Sequence, residues 1–361
     1  MKLTPMQLFR FWFVYIITAP LAFLLGPLYD VGEFEGWMAL IISCGLSLIF
    51  VYGSVKMARL KPDQEWGNWG ALVLGRGIHS GFLLLVVAIC ILLTSLNLAS
   101  YIDLFGSVYL PGTPDMLIGG VFVFCVYIAA RSGLKTIVYL TDGFFLLAVV
   151  AVLFILPFLS GQLNYRMSVA LITHWDMTQL WKSVLFCLTW FGEMALVFLM
   201  LPHFKHEKPM KYLACANMAA CFLILMYWYV TLLLFGPHFG SHLRFPLMET
   251  IRFIVVSQLV ENLDPVLLSI WTSSLLVKSA LLLYFASKLT AQLFRLDNYK
   301  PFTFMLGSVI VIFAIRFVNF PAEFGQFMYS PAFNLVLFLT ECLPFLYLFV
   351  GRLRRRRLMA D

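Results

Sequence analysis

Two ionisable side chains lie where the chain is otherwise apolar. Glu193 falls about ten positions into the run 182–203, directly after Gly192, and Lys278 sits in the middle of the run 265–288. At mid-depth in hydrocarbon a carboxyl or an ammonium is a functional candidate by default, and a central lysine is unfavourable by about +2.5 to +3.5 kcal/mol. Glu193 could carry a proton or meet a ligand of opposite charge; the alternative is a protonated acid hydrogen-bonded within a bundle. Lys278 has no acid three or four positions away on its own helix. Either it snorkels to the interface, or it finds compensation on another helix. The expected partners are the carbonyls of Ile16 to Ala19 or the Glu193 carboxylate.

The backbone offers a second kind of chemistry. Pro20, within Thr18-Ala19-Pro20-Leu21-Ala22, removes a donor in the middle of the first apolar run, and Gly192 follows Trp190-Phe191 in the sixth. Proline frees a carbonyl and crowds the preceding turn, and glycine tolerates unwound backbone. A proline kink repacked by its neighbours is the competing reading for the first run. Paired discontinuities in runs 1 and 6, five apart, point to a membrane protein of two inverted repeats with a mid-depth binding site. Exposed amides there suit a carboxylate and exposed carbonyls an ammonium, which together fit an amino acid. Asn97, among Thr94, Ser95 and Ser100, adds a polar face in the third run. Thr18, Ala19, Pro20, Ala22, Asn97, Trp190, Phe191, Gly192 and Glu193 are therefore the candidate ligand residues, with Lys278 as a fixed cation in place of a coupling ion.

The elements that must hold these groups follow from composition. Of the 361 residues 62% are hydrophobic and only 12% charged, about half the charge of a soluble domain. A bilayer-spanning helix needs about 20 apolar residues, and ten runs satisfy that: 6–28, 37–58, 80–105, 116–130, 137–160, 182–203, 211–235, 265–288, 302–320 and 332–351. The expected fold is all-α, one domain of ten spans in a 5+5 inverted repeat with spans 1 and 6 broken. The first run is too long for a signal-peptide core and lacks a small-residue cleavage site. The loop after span 7 is expected to hold an interfacial helix over Met248 to Leu263, and 161–181 is the other sizeable connection.

Charge orients the chain. In alternate connections nineteen Lys and Arg fall on one side and four (Arg166, Lys182, Arg244 and Arg252) on the other, which places both termini in the cytoplasm. The net charge of +7 is concentrated in the tail 352–361, which suits anionic lipid and argues against nucleic acid. Seven cysteines without CxxC spacing read as packed thiols, and the six histidines favour solvated roles over metal binding. No hydrolase, P-loop, dinucleotide or zincin motif occurs, so no enzymatic activity and no cofactor is expected.

The order of motifs carries a resemblance over essentially the whole chain. Leu3-Thr4-Pro5-Met6-Gln7-Leu8-Phe9, Pro27, Trp37, Phe191-Gly192-Glu193 followed by Phe198-Leu199-Met200-Leu201-Pro202, and Pro246 leading to Glu261, Asp264 and Trp271 resemble the spore germination permeases. These are the B subunits of nutrient germinant receptors, within the amino acid–polyamine–organocation superfamily. The resemblance implies a small germinant bound between spans 1 and 6, an A-type and a lipoprotein C-type subunit as partners, and the spore inner membrane as location. Pro246, Glu261, Asp264 and Trp271 are its structural signature. One departure stands out: relatives carry a glycine pair in span 1 where this chain has Pro20 and Ala22. A proton-coupled secondary amino acid transporter of the same fold is the alternative reading.

Overall fold

The computed structural model describes residues 3–159, 163–173, 176–204, 208–252, 264–328 and 330–354. Helix α1 (Pro5–Ala19) starts where a capping box permits. Thr4 Oγ1 accepts from the Gln7 amide at 3.3 Å while Gln7 Oε1 accepts from the Thr4 amide at 2.9 Å, and Pro5 sits where its missing N–H is no loss. After α2 (Leu25–Gly32) come α3 (Gly36–Ala58), the short α4 (Trp66–Leu74), α5 (Arg76–Leu104), α6 (Asp115–Ser132) and α7 (Leu134–Leu159). The chain continues with α8 (Ala170–Thr173), α9 (Met177–Gly192), α10 (Pro209–His242), α11 (Pro246–Arg252), α12 (Asp264–Leu293), α13 (Lys300–Asn319), α14 (Pro321–Met328) and α15 (Pro331–Leu353).

The fold is nearly all-helical, and among the described residues eight stretches are long and apolar enough to cross a membrane. The first of them, Pro5–Ala58, runs through three helices with scarcely a break. At the centre α1 packs on α10, α7 and α12, α12 lies along α5, and α3 is flanked by α9 and α15.

Both expected discontinuities occur where Pro20 and Gly192 stand, but neither opens into extended backbone. In span 1 the chain widens into a single π-helical stretch, Pro20–Leu24, between α1 and α2. Pro20 removes the donor for the Ile16 carbonyl and clashes with it, and a wider turn relieves that crowding. In span 6 the α-helix tightens into a 3-10 helix, Glu193–Leu199. Gly192 itself has helical dihedrals, φ −67° and ψ −25°. The helices are thus re-wound rather than broken, and the reason for glycine at 192 lies in packing, described below.

Other differences are at the edges. The short helices α4 and α14 lie in the connections between apolar runs. The helix over 211–235 runs on to His242, with a bend at Gly236, whose φ of +71° only glycine adopts easily. Of the expected interfacial helix the structure shows α11; residues 253–263, including Glu261, lie outside the described residues.

Candidate functional site

The site is built where the two re-wound segments meet α5 and α12. Lys278 is only 2% exposed, so it does not snorkel. Its Nζ stands 2.8 Å from Glu193 Oε2, and it lies 4.9 Å from the centre of the Tyr15 ring. Tyr15, from α1, donates its hydroxyl to the same Glu193 oxygen at 3.2 Å. Three elements therefore converge on one carboxylate: α1 through Tyr15, α12 through Lys278, and span 6 through Glu193. Of the two partners expected for Lys278, the acid is the one it meets. The span 1 carbonyl is taken instead by Trp271, whose indole N–H donates to Thr18 O at 3.2 Å.

Trp271 and Lys278 are seven residues apart and so share a face of α12. Between them they fasten that helix to both re-wound segments. Trp271 also packs edge-on against Phe23 of the π-helical stretch, with ring centres 5.7 Å apart.

Beside this cluster lies a cavity of about 320 Å³. It is lined by Ala19, Phe23 and Pro27 of span 1, by Leu93, Leu96, Asn97 and Ser100 of α5, and by Phe186, Thr189, Trp190 and Glu193 of span 6. Gly325 of α14, Phe333, Asn334 and Leu337 of α15, and Arg244, beyond α10, complete it. Pro27 lies 22 residues beyond Pro5, about 33 Å of helix at 1.5 Å per residue. The cavity therefore runs from Glu193 at mid-depth towards the face opposite the N-terminus. Arg244 stands at that mouth, paired with Asp103 at the end of α5. On the N-terminal side the way is filled by side chains with almost no exposed surface, among them Phe11, Trp12, Trp66 and Phe198.

Four of the predicted ligand residues, Ala19, Asn97, Trp190 and Glu193, line this cavity. The others do not. Thr18 is buried and spends its hydroxyl on Val14 O at 2.6 Å; Pro20 and Phe191 are packed in the core. Ala22 faces a small separate cleft with Trp271 and Phe245. Asn97 is the most telling of the four: it is 6% exposed, and its Nδ2 is a buried donor without a partner among the described residues.

Gly192 is where the sequence reading missed a group. A Cβ built there would fall within the carboxyl of Glu341, on α15. Glu341 is 4% exposed. The signal was present in the sequence, since Glu341 is a lone acid in the run Leu339-Thr340-Glu341-Cys342-Leu343, and the rule that singled out Glu193 applies to it equally. Arg244, read only as a loop charge, is the other group missed. Of the signature residues, Pro246 is buried at the start of α11 and packs near Gly26, and Asp264 opens α12.

A second ionic cluster closes the N-terminal face. Glu65, at the start of α4, pairs with Lys288 of α12, accepts from Gln292 Nε2 at 2.8 Å and lies 3.3 Å from His203 Nε2. Lys288 also donates to the Tyr284 hydroxyl at 3.2 Å. Burial pushes the Glu65 carboxyl up, but the His203 hydrogen bond and the Lys288 ammonium outweigh it and hold the group at about 2.

An acid, an amide donor and a guanidinium thus stand around one otherwise apolar cavity. Residues 2–320 match the family described as spore germination protein. The chain belongs to that family. Among its relatives is the putative spore germination protein YfkT of Bacillus subtilis (strain 168), 25% identical over 232 residues, a match that spans 62% of each chain. Spore germination protein XB of Bacillus anthracis is 20% identical over 330 residues, 89% of this chain and 90% of that one. Among solved structures the fold resembles Mhp1, a nucleobase-cation-symport-1 family transporter, in a closed conformation with bromovinylhydantoin bound. The TM-score is 0.68 at 12% identity, over 99% of this chain and 79% of that one. The spore germination permease is therefore an integral membrane protein with a transporter fold.

Proposed function

We propose that this permease is the nutrient-sensing subunit of a spore germinant receptor, and that it binds an amino-acid-like germinant in the cavity beside Glu193. The observation that carries the reading is the distribution of polar groups in an otherwise apolar cavity. Glu193 lies at its inner end, the unpartnered Asn97 donor on its wall and Arg244 at its mouth. A carboxylate on the ligand would satisfy Asn97 and be drawn in past Arg244, while an ammonium would be favoured towards Glu193. A volume of about 320 Å³ lies at the low end of ligand pockets, roughly 300–1,000 Å³, and suits a single amino acid.

Ten spans complete the picture. Pro5–Ala58 is 54 residues long, enough for two crossings of a hydrocarbon core about 30 Å thick, and α7 adds another of 26 residues. With ten spans, the re-wound segments fall at corresponding positions of two five-helix halves. Both termini are then cytoplasmic, in keeping with the basic tail, in the spore inner membrane. An A-type subunit and a lipoprotein C-type subunit are the expected partners, alongside anionic lipid.

The test is thermal stabilisation of the purified full-length protein by a panel of the common amino acids. At least one should raise the melting temperature of the parent and fail to do so in Asn97→Ala; a parent indifferent to the whole panel would overturn the reading. The fold favours a second reading, a proton-coupled amino acid transporter. Saturable uptake of the radiolabelled ligand into proteoliposomes would establish it over sensing alone.

A further inference from the structure

The cluster beneath the cavity contains two acids and one base. Glu193 is paired with Lys278. Glu341 comes from α15 to the neighbouring position of span 6, its carboxyl seated in the space that the missing Cβ of Gly192 leaves. Among the described residues no hydrogen bond or ion pair reaches Glu341, although it is 96% buried.

Were both acids ionised, the trio would carry one uncompensated negative charge in the membrane interior. Isolated buried charges are strongly disfavoured, and in practice the group neutralises. Among the described residues the helices packed on α15 supply nothing else to balance it: Lys56 of α3, the most closely packed of them, is exposed and lies over the Tyr52 ring, 5.4 Å from its centre. From span 6 the charged group that bears on Glu341 is Glu193, which is itself an acid. On α15 the nearest titratable neighbour is the thiol of Cys342. His79 of α5 is engaged by Tyr347 Oη at 2.7 Å, nearly two turns further along, and Cys187 of α9 is a buried thiol.

We propose that Glu341 is a proton-binding site, holding the one proton that keeps the Glu193–Lys278–Glu341 trio neutral. The number of protons bound equals the number of carboxyls minus the number of ammonium groups. A cation delivered to Glu193 from the cavity therefore displaces the proton from the Glu341 oxygen, and loss of a cation draws one in. Proton exchange at this point is built into the helix packing whether the permease senses its ligand or moves it. Gly192 has its role in this site, since any side chain there would collide with the Glu341 carboxyl and displace it.

Infrared spectroscopy of the full-length protein in lipid nanodiscs tests this without any ligand, so its outcome is independent of the germinant reading. At neutral pH the parent should show one protonated-carboxyl band that Glu341→Gln abolishes. Glu341→Asp should keep the band and move its position, while Glu193→Asp leaves it in place. Lys278→Met, where it folds, should show two such bands. A parent spectrum identical to that of Glu341→Gln in this region overturns the proposal, and so does a band that moves in Glu193→Asp but not in Glu341→Asp. The glutamate variants decide the matter even if the methionine variant does not accumulate.

Discussion

Helix α12 carries two lysines ten residues apart, about 15 Å along its axis, and each is paired with a glutamate from another element. Lys278 and Glu193 lie beside the cavity with side chains only 3% and 10% exposed, whereas Lys288 and Glu65 sit at the N-terminal face at 25% and 24%. The inner pair has one tyrosine hydroxyl for company and a second acid close by. The outer pair shares its charges with Gln292, Tyr284 and His203 and with water. Identical residue types thus do different things: the inner lysine has no substitute for its partner, while the outer one has several. Burial, and the number of alternative donors, decides which pair the fold depends on.

Deleting Lys278 should separate the two most sharply. Lys278→Met leaves Glu193 buried beside Glu341 with no cation, and breaking a buried pair in this way typically destabilises by about 3–5 kcal/mol. A large fall in the yield and melting temperature of the purified protein is expected, with most of it recovered in Lys278→Met/Glu193→Gln, where neither charge remains. A single variant as stable as the parent would mean that the inner pair is no more essential than the outer one.

Gly192→Ala comes next. Its Cβ would collide with the Glu341 carboxyl, and overpacking of a tight interior costs about 1–3 kcal/mol. Gly192→Ala/Glu341→Ala should recover part of that loss in a thermal melt. Failure to do so would show that the glycine serves the backbone and not its neighbour.

Lys288→Met should have a smaller effect, about 1 kcal/mol or less for a solvated pair, since Glu65 keeps His203, Gln292 and water. The smallest effect is its pH dependence. Glu65 is held at about 2, below its ordinary 4.5, so the outer pair's contribution is complete above about pH 4.5 and is lost as the pH falls through about 2. The melting-temperature gap between parent and Lys288→Met should stay constant from neutral pH to about 5 and close only below that. A gap that closed near neutrality would locate the titrating group elsewhere in the cluster.

Much of this was legible from sequence, and for definite reasons. Apolar runs report spans because hydrocarbon admits almost nothing else, and the same exclusion made Glu193 and Lys278 stand out. Lys278 could be assigned an interhelical partner because its own helix offered none. Pro20 and Gly192 marked the irregular turns but not their kind, since the choice between an opened backbone, a π turn and a 3-10 turn depends on the packing around them. Four of the nine candidate ligand residues line the cavity and five do not, because facing directions on a re-wound helix do not follow a constant period. Arg244 escaped notice because a basic residue in a loop carries no mark of the cavity it will overhang. Helix α4, with its three glycine and two tryptophan neighbours over 66–75, escaped because it is too short to register as a span.

Leu3, near the start of the chain, has a partner far along it. Leu3 donates its amide to His203 O at 3.0 Å and forms a one-residue parallel bridge with Phe204, so the start of span 1 is stitched to the end of span 6. Ribosomes add about 5–20 residues per second, and the segment containing Phe204 follows Leu3 by roughly 200 residues, so this stitch cannot close for ~10–40 s after Leu3 is made. During that interval span 1, with its proline, must wait in the bilayer without Glu193, Lys278 or Trp271 to complete it. The order of synthesis thus makes assembly of the centre a late event, and span 1 is the segment with the longest exposure to membrane chaperones and proteases.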